Sequence, residues 1–134
     1  MALQYSTAHR TAAMDDIVTK VGASGKIKIF TGSPPANCAT ADTGTLLVTF
    51  TGNASQFGTT ASGVLTVSAI AAATAGNTGT AGYFRIYPSA DTTTNAVIQG
   101  TCGTSGADMN LTNTSITSGQ SCTFTSMTIT AFGA

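Results

Sequence analysis

Few side chains in this sequence are able to do chemistry: one histidine, His9; the aspartates Asp15, Asp16, Asp42, Asp91 and Asp108; the cysteines Cys38, Cys102 and Cys122; and many serine and threonine hydroxyls. Glutamate is absent, and after Lys28 the only charged residues are Asp42, Arg85, Asp91 and Asp108. His9 with Asp15 or Asp16 has the makings of a general base and its orienting carboxylate, but that chemistry also needs a nucleophile within hydrogen-bond reach of the base. Nothing marks one hydroxyl for that role, so a surface histidine in the first turn of a helix is the preferred reading. Asp42, Asp91 and Asp108 fall in or beside turns, where aspartate accepts backbone hydrogen bonds, and this explains them better than a Ca²⁺ site does. One histidine and scattered cysteines and aspartates do not make a zinc site. No catalytic residue, metal or cofactor is expected.

The glycine-rich run Gly76-Asn77-Thr78-Gly79-Thr80-Ala81-Gly82 resembles a phosphate loop only in composition. A phosphate loop delivers its backbone N–H groups from a helix N-terminus and carries a following Lys-Ser/Thr, whereas this run enters an expected strand. It is read as a flexible hairpin loop. The three cysteines are expected as free thiols, since no secretory signal opens the chain; the alternative is a disulfide between Cys102 and Cys122, which bracket the segment 103–121 and can face each other on paired strands. Tyr83, Arg85 and Tyr87 share one face of a strand and form the best candidate contact patch, because aromatics and arginine are enriched at interfaces. The other reading of these three is the solvent side of an edge strand.

These groups must be positioned by the elements around them. The chain has 134 residues, 42% of them hydrophobic, only 7% charged, with zero formal net charge. One domain fits that length, with residues 1–24 as an N-terminal arm and helix and residues 25–134 as a β core. Threonine is the commonest residue, and the Thr, Ser, Asn and Gly vocabulary suits strands and turns. Weak self-repulsion favours association. No basic stripe exists to neutralise phosphates and no stretch is long and apolar enough to cross a bilayer, so neither nucleic acid nor membrane is an expected partner. With so few titrating groups, folding stability is expected to change little between about pH 5 and pH 9.

Ser6 or Thr7 can cap a helix in which Met14, Ile17, Val18 and Val21 form an apolar stripe, ended by Gly22 and Gly25. Its other face carries Arg10, Asp15, Asp16 and Lys20, either as a solvated surface over one end of the β core or as a docking arm in which Arg10 and Lys20 meet a partner. From Lys26 the period becomes two, as in a half-buried strand. Further strands are expected at 45–51, with Leu46, Val48 and Phe50 on one face, and at 63–69, with Leu65, Val67 and Ala69 together. A short segment around Gln56-Phe57 lies between them. The run 69–75 is read as extended, and strands follow at 82–88, 96–101 and 107–112. In the last strand, 122–132, Cys122 and Phe124 hold one parity and Met127, Ile129 and Ala131 the other. That phase change requires a bulge or a crossing between sheets near Thr125 or Ser126. Seven or eight short strands with turns about every ten residues predict an all-β fold: an antiparallel β-sandwich, with the jelly roll as a candidate form, and one short N-terminal helix.

The segments 1–7, 27–36, 42–47, 81–87 and 103–111, with Ile116 and Ser126-Met127-Thr128-Ile129-Thr130, resemble small virion proteins of tailed bacteriophages and prophages. The resemblance spans nearly the whole chain and rests on strand and turn segments. It implies a non-enzymatic structural protein made in the host bacterial cytoplasm and located in the virion, a capsid decoration or cement protein. Its partners would be the major capsid protein and copies of itself. A tail, neck or fibre-associated component is the alternative, and a carbohydrate-binding host-attachment module a third reading.

Overall fold

The computed structural model describes residues 2–53, 57 and 59–133. Helix α1 is Thr7–Val21. Ser6 is extended and its hydroxyl accepts the His9 N–H at 3.2 Å, capping one of the orphan donors of the first turn. At the other end Gly22 takes φ 71°, a left-handed value that glycine reaches without a Cβ clash, and returns its N–H to the Val18 carbonyl at 3.0 Å. Met14 and Val21 are buried and Ile17 and Val18 half-buried, so the apolar stripe is the face the helix turns inward.

The strands are β1 (Lys26–Thr31), β2 (Leu46–Thr51), β3 (Thr59–Ala61), β4 (Val64–Val67), β5 (Ile70–Thr74), β6 (Gly79–Tyr87), β7 (Ile98–Gly103), β8 (Met109–Asn110), β9 (Ser115–Ile116), β10 (Ser121–Phe124) and β11 (Met127–Thr130). The largest sheet runs β2-β1-β6-β7-β8, with β9 also paired to β6; β10-β5 and β11-β4-β3 form two smaller sheets. All pairings are antiparallel except the short parallel contact of β7 with β8. The fold is therefore mainly β with one short helix, as the composition predicts. Ile27, Ile29, Val48, Phe50, Phe84 and Ile86 of the large sheet join Val67, Ile70 and Phe124 of the small sheets in one core. Burial of this apolar surface is the main drive for the sheets to meet. Helix α1 adds Met14 to a second cluster with Leu65 and Ala131.

The phase change in the last strand is a crossing between sheets: residues 121–124 pair with β5, and residues 127–130 pair with β4. Other expectations need correction. Leu47, not Leu46, joins Val48 and Phe50 in the core, because a register shift opposite Ile29 and Phe30 leaves Leu47 as an extra residue and swings it inward, while Leu46 is only half-buried. Ala69 lies beyond β4 and is exposed. The glycine-rich run is a loop only at its start, since β6 begins at Gly79. Gly82 sits where β6 bulges against β1, and a Cβ there would lie 1.9 Å from the Gly32 carbonyl oxygen, so only glycine fits. In the segment expected around Gln56-Phe57, Gln56 lies outside the described residues and Phe57 is buried in the core.

Candidate functional site

Strict alternation in β1 and β6 sends Ile27, Ile29, Phe84 and Ile86 to the core and leaves Lys26, Lys28, Phe30, Tyr83, Arg85 and Tyr87 on the opposite face. The register sets Phe30 beside Tyr83, Lys28 beside Arg85 and Lys26 beside Tyr87, with Gln99 of β7 on the far side of Arg85. This is the face expected as a contact patch. It is not exposed: Tyr83, Arg85 and Tyr87 each have 0% of their surface accessible, so the expectation of a free patch is overturned. The segment 33–43 and the turn around 91–95 lie over it, because a buried guanidinium needs acceptors and the sheet alone cannot supply them.

Arg85 uses all three of its nitrogens. Nε and Nη2 donate to Gln99 Oε1 at 3.1 and 2.7 Å, Nη2 also to the Asn37 carbonyl, and Nη1 to the Thr40 carbonyl at 2.8 Å and to Asp42 Oδ1 at 2.9 Å. Nη1 further reaches Tyr87 Oη and the Thr93 carbonyl. Tyr87 donates its hydroxyl proton to Asp42, and Tyr83 donates to the Thr43 carbonyl at 2.6 Å while its ring stacks on Phe30 at 4.9 Å. Burial works to lower the Arg85 pKa, but the bonds to Tyr87 and Asp42 outweigh it and hold the value above that of a free arginine. Burial, then the Asp42 bond, raises the Tyr87 hydroxyl well above the usual tyrosine value.

The juxtaposition of Lys28 and Arg85 on adjacent strands places like charges side by side, which destabilises a sheet unless each has a counterion. Asp91 supplies the second one. It lies 2.9 Å from Lys28 Nζ and 3.4 Å from Lys26 Nζ, and Lys28 also sits over the Tyr87 ring. Burial pushes the Asp91 carboxyl up, yet its hydrogen bonds to Lys28 and Lys26 bring it below the ordinary aspartate value. Asp42 and Asp91 thus serve buried or half-buried cations, not the backbone acceptor role expected of them. Asp108 does take the expected role, accepting the Thr101 N–H at 2.8 Å.

The remaining candidates are scattered. His9 is exposed and stacks on Tyr5 at 5.1 Å, and Asp15 accepts from the Thr60 hydroxyl, so the two do not meet as base and orienter. Arg10 is half-buried, donating to the Ala131 carbonyl at 3.2 Å and packing on Gly63; it ties α1 to the small sheets instead of standing on a solvated face. Lys20 is exposed and pairs with Asp16 at 3.6 Å. Cys38, Cys102 and Cys122 are free thiols, so the Cys102–Cys122 alternative is not realised. Burial, with the nearby Asp108 charge, pushes the Cys102 thiol up to about 12, and burial raises Cys122. These thiols are poor nucleophiles at neutral pH.

Among the described residues no group of three or more His, Cys, Asp or Glu side chains could hold a metal ion, and no helix is long and apolar enough to cross a membrane. Arg85 has no free donor to offer a ligand. Its arrangement fastens two crossing segments to a sheet. Sequence reasoning missed its partners Asn37, Thr40 and Gln99, which bond partly through backbone carbonyls that any residue would supply. One signal was available: a lone arginine in a strongly apolar strand needs a carboxylate, and only Asp42, Asp91 and Asp108 follow Lys28. Comparison of the chain with protein-family models, curated proteins and solved structures gave no match.

Proposed function

We propose that this chain is a non-enzymatic structural protein of tailed-phage virions, a capsid decoration or cement protein that binds the major capsid protein shell. Its sheets would form a β-sandwich of jelly-roll type, with the core enclosed between the large sheet and the two small ones. The observation that carries the reading is where the charges go. Arg85, Lys28, Asp42 and Asp91 are drawn into ties within the fold, and the exterior is left mainly to Thr, Ser, Asn and Ala, with the exposed charges of Asp15, Asp16 and Lys20 on α1 and of Asp108 summing to a small net value. A neutral surface of that kind suits a protein that packs against many identical neighbours, where weak single contacts become strong through repetition. The resemblance of its strand and turn segments to small phage virion proteins points the same way.

The test is the copy number and position of the protein in purified particles, measured by quantitative gel densitometry and imaging. Copies by the hundred on the outer shell are expected. A small number at one vertex would replace this reading with a tail or neck component, and absence from particles would overturn a structural role altogether.

A further inference from the structure

The segment 121–130 is paired along one side only: β10 bonds to β5 and β11 to β4, and among the described residues no strand bonds to the other edge. Two adjoining cavities, of about 330 and 310 Å³, lie between this segment and residues 108–112, and Met109, Leu111, Thr123 and Phe124 border both. Together they make a slot with an apolar floor reaching Ile29, Val48 and Phe50 of the core. Unpaired edges are templates for another extended chain. The molecule also carries, before α1, a segment outside any helix or strand with a bare apolar side chain. Residues 2–4 are exposed, and among the described residues Leu3 and Phe132 are the large hydrophobic ones left open, at 75% and 73%.

We propose that the segment Ala2–Gln4 of one copy occupies the slot of a second copy, adding a short strand to the free edge of 121–130 and bringing Leu3 against the apolar floor. This rests on the reading of the chain as a self-associating structural protein. Three extended residues span about 10 Å, enough to follow the edge for one strand repeat and a half. Charge permits the approach: residues 2–8 carry none, and Asp108, the one charged residue among the described residues lining the slot, already accepts from the Thr101 N–H and hydroxyl. Two copies of a chain with zero net charge meet without repulsion. Donor segment and acceptor slot are different surfaces, so the contact is head-to-tail and closes into a ring or extends as an array.

Cys122 lines the slot and serves as a built-in reporter. In the full-length Leu3→Cys variant, mild oxidation is expected to give reduction-sensitive dimers and larger species, with mass spectrometry placing the bond between the introduced thiol and Cys122 of a differently isotope-labelled copy. Adding Cys122→Ser should abolish them. A bond confined to one chain, or cross-links through Cys38 or Cys102 alone, would each overturn the proposal. In sedimentation experiments Leu3→Ser is expected to weaken self-association by tenfold or more while added salt changes it little; association unaltered by Leu3→Ser would overturn it independently of thiol chemistry. The two proposals fail separately. Particles rich in a protein whose self-association Leu3→Ser leaves unaltered would refute the arm contact alone, whereas the cross-link in a protein absent from particles would refute the virion reading alone.

Discussion

The two faces of the β1–β6 pair are made from alternate residues of the same two strands, and both are dry, yet they are dry for opposite reasons. On one, Ile27, Ile29, Phe84 and Ile86 join a core whose attraction is non-directional and tolerates rearrangement. On the other, Lys28, Arg85 and Tyr87 are covered by segments that had to bring particular acceptors to particular nitrogens. The apolar face needs volume filled. The polar face needs each donor answered, since an unanswered buried charge costs more than the pair contributes. In this fold the second face therefore fixes the path of the long loop after β1, which the hydrophobic core alone leaves free.

Neighbouring residues make the sharpest comparison. Phe84→Ala is expected to destabilise by about 3–5 kcal/mol through lost transfer energy and a cavity. Arg85→Ala is expected to cost about the same, 3–5 kcal/mol, by stranding Asp42 and Gln99 without a cation. Urea unfolding measures both. A double-mutant cycle separates the mechanisms: Asp42→Ala with Arg85→Ala should fall short of additivity by about 1–3 kcal/mol, whereas Asp42→Ala with Phe84→Ala should be additive to within about 0.5 kcal/mol. An Arg85→Ala cost under 1 kcal/mol would mean that the covering loop is held by something other than this network.

How far these faces were legible in the sequence follows from the same physics. Alternation is a local property, so the assignment of Phe84 and Ile86 to one side and Tyr83, Arg85 and Tyr87 to the other is right. Burial of the second side is not local. It depends on Asn37, Thr40 and Asp42 returning across the sheet from more than forty positions away, and on carbonyl groups that carry no sequence signal. The helix was readable from its cap at Ser6, its stripe and Gly22, and the sheet crossing from the parity change after Phe124, because each is written within a few residues. The slot beside 108–112 was not readable, since it lies between segments that the sequence pattern treats as two separate strands.

A smaller effect is expected at the edge of the polar face. Asp91→Asn removes the carboxylate shared by Lys26 and Lys28 and leaves Lys28 beside Arg85 without its own counterion, at a cost of about 1.5–3 kcal/mol. The same residue sets the acid limit. Its pKa is lowered in the folded state, so its contribution is present above the unfolded value near 4 and is lost as pH falls through the folded value. Tyr87 and Cys102 set the alkaline limit. Their pKa values are raised on folding, so stability is lost as pH rises past the unfolded values, near 8.5 for the thiol and 10 for the phenol. The melting temperature should therefore be flat from about pH 5 to pH 8, a narrower window than the scarcity of charge alone suggests, and should fall on both sides. In Asp91→Asn the acid fall should be reduced while the alkaline fall persists.

The smallest effect is expected where charge meets water. Lys20 and Asp16 form an i,i+4 pair on α1 at 3.6 Å with both side chains about three-fifths exposed, against 2.9 Å and near-complete burial for Lys28 with Asp91. Solvent and salt screen the helix pair, and holding two long side chains in register costs entropy, so such pairs contribute about 0.3–0.5 kcal/mol. Lys20 also lies in the last turn of the helix, where a cation faces the negative end of the dipole, a term of similar size that salt screens too. Lys20→Ala should shift stability by no more than about 1 kcal/mol in low salt and by nothing measurable in high salt. Arg10 on the same helix is the internal control, since its bond to the Ala131 carbonyl is largely sheltered and its removal should remain costly in high salt. If Lys20→Ala proved as costly as Arg10→Ala and as insensitive to salt, the outer face of α1 would have to be covered in solution, and the docking role first considered for Arg10 and Lys20 would return for Lys20 alone.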